Sequence, residues 1–292
     1  MTDSRDSQTD GDQGRTALVL GGGGVVGIAW LTGLLLGLER QGVTLRNADI
    51  IVGTSAGSVV GSQLASGRSL EELYTDQVAD ATGEVAAAVP EGGFEAMAAS
   101  GTAATTPEEY MRAIGQFALA RGGGQAAERH EAIASRLPDH EWPAGGLRIT
   151  AVDIDSGERT VFTRDSGVPL VSAVGASCAV PGVWPVVAIN DHRYMDGGMW
   201  STANVDVAAD ASRIVVIAPL PYGLRPGTLP DEQLAALGVP GAVIVPNSAS
   251  VAAFGANPLD PAGRPASAEA GLAQALEEAE RLTALLSSDA VS

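Results

Sequence analysis

Short runs of apolar, β-branched residues recur along the chain and predict strands that are buried in a sheet. Longer stretches with apolar residues at helical spacing lie between and after these runs. Strands that alternate with helices form mainly parallel sheets, and the helices cover both faces. The pattern therefore predicts an α/β fold, a three-layer sandwich around a mainly parallel central sheet. The predicted strands are Thr16–Leu20, Ile50–Val52, Leu147–Ile154, Arg159–Thr163, Arg213–Pro219 and Ala242–Pro246, and the predicted helices are Gly27–Arg40, Ser55–Ser66 and Ser267–Leu286.

Residues 75–145 differ from the rest of the chain because they are rich in Ala and Gly, with runs of adjacent glycines as breaks. Such a stretch predicts helices joined by flexible loops, and we expect these helices to cover one end of the sheet. A fixed cover and a mobile lid both fit this pattern. Residues 1–14 are polar and lack apolar periodicity, so we expect a disordered tail before a single domain over residues 15–290.

The net charge of the chain limits the kinds of molecule that it is expected to bind. The 292 residues carry a formal net charge of −18, and all 17 basic side chains are arginine. Nucleic-acid binding needs a basic surface and is not expected, and adsorption to an anionic membrane is disfavoured. A transient apolar contact with a lipid surface stays open. No segment predicts a membrane span or a secretory signal, and the single Cys178 allows no intrachain disulfide, so we expect a cytoplasmic protein.

A glycine-rich turn follows the first predicted strand and raises two alternatives. Residues Gly22–Gly27 satisfy G-x-G-x-x-G, the fingerprint of dinucleotide binding at a strand–turn–helix junction. That function also needs an acidic residue at the end of the second strand, to bind a ribose hydroxyl. Here Asp49 precedes the second strand, so the second half of the fingerprint is missing.

The second predicted strand ends instead in a G-x-S-x-G pattern, the nucleophile elbow of serine hydrolases. Gly53 and Gly57 flank Ser55 at the positions where side chains would clash in this sharp turn. The helix that follows directs its positive amino terminus at the site and favours a developing anion. An apolar strand before the motif and a helix after it are the context that the elbow requires, so Ser55 is the candidate nucleophile.

With a nucleophilic serine in place, the glycine turn has a second interpretation. Acyl transfer needs backbone N–H groups that point at the developing oxyanion. Consecutive glycines between a strand and a buried helix present such groups without obstruction. Gly22, Gly23 and Gly24 are therefore candidates for an oxyanion hole.

A general base is also required, and the chain offers few candidates. Of its three histidines, His130 and His140 fall among polar residues and are expected at the surface. His192 lies in a turn-like sequence and is either a surface residue or the histidine of a triad. The stronger candidate is Asp196, which follows an aromatic-apolar strand and precedes Gly197 and Gly198. Taken alone, it also fits an ordinary Asp-Gly turn.

Four blocks in this order, GGGGVVG, GTSAG, ASCAVPGVWPVV and YMDGG, resemble those of the patatin-like phospholipases. The resemblance covers roughly residues 15–285 and extends to AFGANPLDPAGR, which is similar to actinobacterial members. It implies Ser55 as nucleophile, Asp196 as general base without a histidine, and the glycines at 22–24 as the oxyanion hole, in one patatin-like catalytic domain. One position departs from the family, because its glycine block usually reads G-G-x-R-G and this chain has Val26. We therefore expect no cationic side chain near the site, which favours a neutral ester or thioester substrate.

These observations predict a serine acyl hydrolase that acts on lipids or other carboxylic esters through a Ser–Asp dyad. Acyl transfer to another acceptor would use the same dyad. A weakly active lipid-binding or regulatory protein is an alternative motivated by Val26, and a dinucleotide oxidoreductase is a third. The sequence contains no metal-ligand cluster and no complete cofactor motif, so we expect neither. The segment around Ser177 and Pro181 is expected to shape the pocket, and Cys178 to be a small buried residue.

Overall fold

The computed structural model of the chain describes residues 14–79, 87 and 91–287. The expected tail at residues 1–14 therefore lies almost wholly outside the described residues, as does most of the stretch 80–90. Eight strands form one mixed sheet in the order β5-β6-β3-β2-β1-β7-β8, with β4 paired to β3. The strands are β1 Thr16–Leu20, β2 Ile50–Thr54, β3 Gly146–Asp153, β4 Arg159–Phe162, β5 Val187–Ile189, β6 His192–Asp196, β7 Arg213–Ile217 and β8 Gly241–Ile244.

Ten α-helices flank this sheet within the described residues. They are α1 Gly24–Arg40, α2 Ala56–Ala65, α3 Leu70–Val78, α4 Gly93–Ser100, α5 Pro107–Arg121, α6 Ala126–Arg136, α7 Leu170–Ser177, α8 Pro230–Leu237, α9 Ser248–Phe254 and α10 Arg264–Ser287. No helix among them has the length and hydropathy needed to cross a bilayer. The amphipathic pattern predicted the last helix, which begins three residues earlier than expected.

Successive residues of a strand point to opposite sides of a sheet, and both sides of this sheet are covered. Leu18 and Leu20 of β1 pack in a core with α1, α2 and α10. Ala17 and Val19 of the same strand pack on the other face, against the 3₁₀ turn Val205–Ala208 and helix α8. The predicted three-layer α/β fold is confirmed.

The central strands β3, β2, β1, β7 and β8 are parallel, as predicted. The pattern does not predict β5, which has only three residues. It also misplaces His192, which begins strand β6 rather than lying in a turn. Strand β6 runs antiparallel to β3, and β5 runs antiparallel to β6. Two predicted strands ran on to Pro219 and Pro246, but both end two residues earlier.

The expected helices of residues 75–145 are present in the described part of that stretch as α4, α5 and α6. Met97 of α4 and Met111 and Ile114 of α5 pack on Val152 and Met195, near the ends of β3 and β6. The carboxyl ends of the parallel strands are where α/β folds place their ligand sites. The helices therefore cover the end of the sheet that carries the candidate residues.

Candidate active site

Strand β3 brings Ser55 and Asp196 together, because β2 and β6 share one of its edges. Thr54, at the end of β2, pairs with Thr150, and Asp196, at the end of β6, pairs with the next residue, Ala151. Strand β4 pairs with the other edge of β3, so β2 and β6 lie on the same edge. Strands β2 and β6 therefore run toward each other along β3 and meet end to end. Ser55 follows β2 directly, so it emerges beside the carboxylate that ends β6.

The Ser55 backbone has the sharp geometry of a nucleophile elbow, with φ 51° and ψ −115°. A non-glycine residue in this region costs on the order of 1–3 kcal/mol, so the surrounding contacts must hold it there. One such contact is the Ser55 N–H, which donates to Ser177 Oγ at 2.9 Å, as expected of a pocket-shaping segment.

The two glycines of the elbow are sterically required. A methyl group on Gly57 would lie 1.9 Å from the Leu20 carbonyl oxygen, and one on Gly53 would lie 2.6 Å from Ser58 Cα. Neither contact is possible for a real Cβ, so α2 approaches β1 and β2 this closely only because both positions lack side chains. The structure thus shows the physical reason for G-x-S-x-G at this turn.

The Asp196 carboxyl group is buried, with 2% of the residue exposed. Its Oδ1 accepts a hydrogen bond from the Gly198 N–H at 2.7 Å. Its Oδ2 is buried and has no partner at standard hydrogen-bond geometry. Burial raises the pKa of Asp196 to about 6, while the Ser55 hydroxyl, the Gly198 N–H and the charge of Arg129 each oppose that rise. An acid with this pKa is poised to accept a proton near neutral pH.

Gly197 and Gly198 form the tight turn that follows Asp196. A methyl group on Gly197 would lie 2.4 Å from the Thr150 carbonyl oxygen. One on Gly198 would lie 2.9 Å from Asp196 Oδ1, in the space that its own N–H uses to reach that oxygen. The Asp-Gly-Gly sequence therefore fits a turn packed tightly on β3, rather than a solvent-exposed turn.

The glycine turn after β1 lies next to Ser55, but its three glycines are not equivalent. Gly22 is close enough that an added Cβ would lie 3.5 Å from Ser55 Cβ. Its N–H, however, donates to the Thr202 carbonyl at 2.8 Å, so the expectation that Gly22 donates to an oxyanion is wrong for this structure. Among the described residues, none accepts a hydrogen bond from the N–H of Gly23, Gly24 or Ala56. These three are first-turn or cap residues of α1 and α2, whose N–H groups have no partner within the helix.

The histidines lie away from this site. His192 begins β6 and Asp196 ends it, so the two are separated by about 13 Å along the strand. The His192 Nδ1 is 2.6 Å from Asp153 Oδ2, and its side chain is 60% exposed. His130 and His140 are also exposed, as predicted. The triad alternative for His192 therefore finds no support in the geometry.

Ser55 and Asp196 lie in the wall of a cavity of about 490 Å³, which we call the acyl cavity. Its volume is in the range of small-molecule and lipid pockets. Apolar side chains from the glycine turn, the covering helices and the loop after β7 form most of the remaining wall. They include Val25, Ile28, Met97, Trp184, Met199, Leu220 and Leu259.

Cys178 also borders the acyl cavity. Its thiol is buried, its Sγ lies 3.7 Å from Ser58 Oγ, and burial raises the thiol pKa. A thiol with a raised pKa is a poor nucleophile, which agrees with the expected role as a small buried residue.

Cationic side chains do reach the acyl cavity, contrary to the expectation based on Val26. Val26 is fully buried, and a methyl group on Gly263 would lie 2.9 Å from its Cγ1. Helix α6 instead contributes Arg129 and Arg136 to the wall. The Arg129 guanidinium lies 4.0 Å from the centre of the Trp184 ring, a cation–π geometry. The argument for a neutral substrate therefore loses its basis.

A buried amide lies behind the site and is not among the residues that the sequence pattern indicated. Asn204 is fully buried, with a left-handed φ of 55°. Its Nδ2 lies 3.0 Å from Thr54 Oγ1, 3.2 Å from the Gly197 carbonyl and 2.7 Å from the Ser201 carbonyl. The Asn204 side chain thus contacts both the residue before Ser55 and the residue after Asp196. Its sequence context of small polar residues carries no pattern that could have revealed this.

The acid required for dinucleotide binding is not at the glycine turn. Asp49 accepts a hydrogen bond from the Thr16 N–H at 2.8 Å, at the opposite end of β1 from the glycines. Within the described part of the chain, no group of three or more His, Cys, Asp or Glu side chains is arranged to hold a metal ion.

A sequence model of the patatin-like phospholipase family matches residues 18–209. Among solved structures, the fold is similar to VipD from Legionella pneumophila, with 12% identity and a TM-score of 0.46, over 92% of this chain and 67% of VipD. It is also similar to the type III effector ExoU, with 17% identity and a TM-score of 0.40, over 94% of this chain and 54% of ExoU. The complex of SpcU with ExoU from Pseudomonas aeruginosa gives 18% identity and a TM-score of 0.40, over 94% of this chain and 53% of the matched chain. The chain thus spans about two thirds of VipD and about half of ExoU.

Proposed function

The chain belongs to the patatin-like phospholipase family, a family of lipid hydrolases, and from this premise we propose that it is a serine acyl hydrolase with a Ser55–Asp196 dyad. The observation that carries the proposal is the pairing of a strained serine elbow with a buried carboxylate whose Oδ2 has no other partner. Both lie in the wall of an apolar cavity. This arrangement provides a nucleophile, a base and space for an acyl chain at one point.

The first half-reaction forms an acyl-enzyme. Asp196 Oδ2 removes the hydroxyl proton as Ser55 Oγ attacks the ester carbonyl carbon. The carbonyl oxygen becomes an oxyanion, and we expect the N–H groups of Gly23, Gly24 and Ala56 to bind it, because these residues line the cavity and their N–H groups have no acceptor among the described residues. The carbonyl then re-forms, the bond to the leaving alcohol breaks, and Asp196 returns the proton to that alcohol.

The second half-reaction releases the acid. Asp196 removes a proton from a water molecule, whose oxygen attacks the acyl carbon of the acyl-serine. The same N–H groups bind the second oxyanion. The bond to Ser55 Oγ then breaks, and Ser55 regains its proton from Asp196. Acyl transfer follows the same course with another alcohol in place of water.

The substrate we propose is a lipid ester whose acyl chain lies in the acyl cavity. Phe94 and Tyr222 border this cavity and are 45% and 47% exposed, so they can contact a lipid surface at its mouth. The net charge of −18 favours a neutral or zwitterionic surface over an anionic one.

Labelling by a fluorophosphonate probe, together with hydrolysis of a series of p-nitrophenyl esters, tests the proposal. We expect the protein to be labelled and active, Ser55→Ala to be unlabelled and inactive, and Asp196→Asn to be labelled at least 100-fold more slowly. Ser62→Ala is the matched control, because Ser62 lies in helix α2, its hydroxyl donates to the Ser58 carbonyl rather than to the serine turn, and the variant should leave labelling intact. Binding of lipid without labelling would instead support the lipid-binding alternative.

A further inference from the structure

A second cavity of about 550 Å³ lies beside the acyl cavity, and the proposed mechanism does not use it. We call it the polar cavity. Val25, Ile28 and Arg136 contribute to the walls of both cavities, so the two are neighbours. The polar cavity is bordered by helices α1, α2, α3, α6 and α10. Its polar walls include Gln63, Arg68, Asp76, Gln77, Arg136 and Arg264.

The charge of this wall is opposite to that of the whole chain. Among the described residues of this wall, three are arginines and one, Asp76, is a carboxylate, in a protein whose 35 acidic residues outnumber its 17 basic ones. Asp76 already pairs with Arg68 at 2.7 Å. Arginines thus outnumber carboxylates among the described lining residues, which favours a negatively charged ligand.

Two buried side chains in this wall retain unused hydrogen-bonding groups. Arg264 is only 9% exposed, and its Nε and Nη2 donate to Gln77 Oε1 and the Asp76 carbonyl. These bonds hold the guanidinium, and no described residue accepts a hydrogen bond from its Nη1. Gln63 is 6% exposed, and its Oε1 is buried without a partner. A buried acceptor left without a donor destabilises the fold, unless a ligand supplies that donor.

We propose that the polar cavity binds a phosphate-type anion that also carries a hydroxyl group. The guanidinium groups of Arg68 and Arg264 would bind the anionic oxygens, and the ligand hydroxyl would donate to Gln63 Oε1. Such a ligand is either the head group of an acyl ester, whose chain lies in the acyl cavity, or a free phosphate compound. Only the head-group form rests on the proposed function.

Binding is tested with the Ser55→Ala protein, so that the result does not depend on catalysis. Inorganic phosphate and glycerol phosphate are titrated by calorimetry, with sodium chloride at matched ionic strength as the blank. We expect Arg68→Gln to weaken binding of both ligands on the order of tenfold. Arg40→Gln, which removes another exposed arginine paired to a carboxylate, should leave binding unchanged. Absence of binding, or equal weakening in both variants, would overturn the proposal.

The source of the anion is decided by kinetics with two esters of one acyl chain, one with a phosphate head group and one neutral. If the polar cavity binds the head group, Arg68→Gln raises KM on the order of tenfold for the phosphate ester alone. If it binds a free phosphate compound, Arg68→Gln changes neither KM, although calorimetry still shows the loss of binding. If the chain hydrolyses neither ester, the proposed function fails, while the calorimetry still decides the anion site.

Independently, we infer that Asn204 is a positioning residue for the dyad. Its amide contacts Thr54, before the nucleophile, and Gly197, after the base, so it fixes the ends of β2 and β6 relative to each other. Without it, the turn after Asp196 can shift, and the Gly198 N–H loses its alignment with Oδ1. That N–H lowers the pKa of Asp196, so its loss should raise that pKa further.

Asn204→Gly tests this inference, because glycine tolerates the left-handed backbone when the Asn side chain and its amide are removed. We expect kcat to fall at least tenfold with little change in KM, and the acidic limb of the pH–rate profile to move to higher pH. Gln233→Leu is the control, since Gln233 binds Ser201 in the same buried network but touches neither β2 nor β6. A purely structural role would lower the melting temperature in both variants and leave both pH profiles in place, and that result would overturn the inference.

Discussion

Replacing the proposed base should make the protein more stable, and the gain should depend on pH. Asp196 has a pKa of about 6 in the folded chain, against the ordinary aspartate value of 3.8 in the unfolded chain. Between these values the folded chain holds a proton that the unfolded chain has lost, so the free energy of unfolding falls as the pH rises. Each unit of pKa shift corresponds to about 1.4 kcal/mol, so the loss reaches about 3 kcal/mol above pH 6.

Asp196→Asn removes this loss, because an amide carries no charge to bury. The Asn side chain keeps the oxygen that accepts from the Gly198 N–H, and its Nδ2 takes the place of the partnerless Oδ2. We therefore expect the variant to be more stable than the wild type by up to about 3 kcal/mol at pH 7. At pH 3.5 the two proteins should be nearly equally stable, because Asp196 is then protonated in the folded chain and mostly protonated in the unfolded chain.

Urea unfolding at the two pH values measures this difference, provided that the m-values agree. Asp210→Asn is the matched control, because a hydrogen bond with Arg148 lowers the pKa of Asp210 to about 2. Its charge is stabilised by folding, so that variant should lose stability at pH 7. If Asp196→Asn gains nothing at pH 7, or gains equally at both pH values, the reasoning from burial is refuted.

Four further predictions follow from the site. The kcat/KM for a neutral ester should rise with pH through a midpoint near 6, where Asp196 ionises, and a profile flat between pH 5 and 8 would contradict its role as base. His192→Ala should keep most of the ester hydrolysis, whereas a loss as complete as that of a nucleophile variant would indicate a triad. Gly57→Ala should cost at least about 3 kcal/mol in urea unfolding, because its methyl group would overlap a backbone carbonyl, while Gly145→Ala, with open space around it, should cost little. Val26→Arg should lower the melting temperature by several degrees rather than enhance activity on anionic lipids, since Val26 is fully buried, and a stable variant with enhanced activity would contradict this.

Several features of this protein follow from local sequence alone. The alternation of short apolar runs with helical stretches determines the three-layer fold, because strands and helices bury their apolar residues with different periods. The glycines on either side of Ser55 likewise indicate a sharp strand-to-helix turn, since such a turn excludes side chains at fixed positions. Asp196 could be named as a candidate because it stands between a strand and two glycines, but only the resemblance to the patatin-like family favoured it as the base over an ordinary Asp-Gly turn.

Only the tertiary structure decided how these pieces meet. Strands β2 and β6 share an edge of β3 although 137 residues lie between the two strands in the chain, and no local pattern encodes that register. The Gly22 N–H is used by Thr202, far along the chain, so one predicted oxyanion donor was lost to a contact invisible in the sequence. The cations of the site come from α6 rather than from position 26, where the sequence suggested their absence. Charge, burial and free hydrogen-bonding groups depend on neighbours in space, which is why the chemistry of the site required the fold.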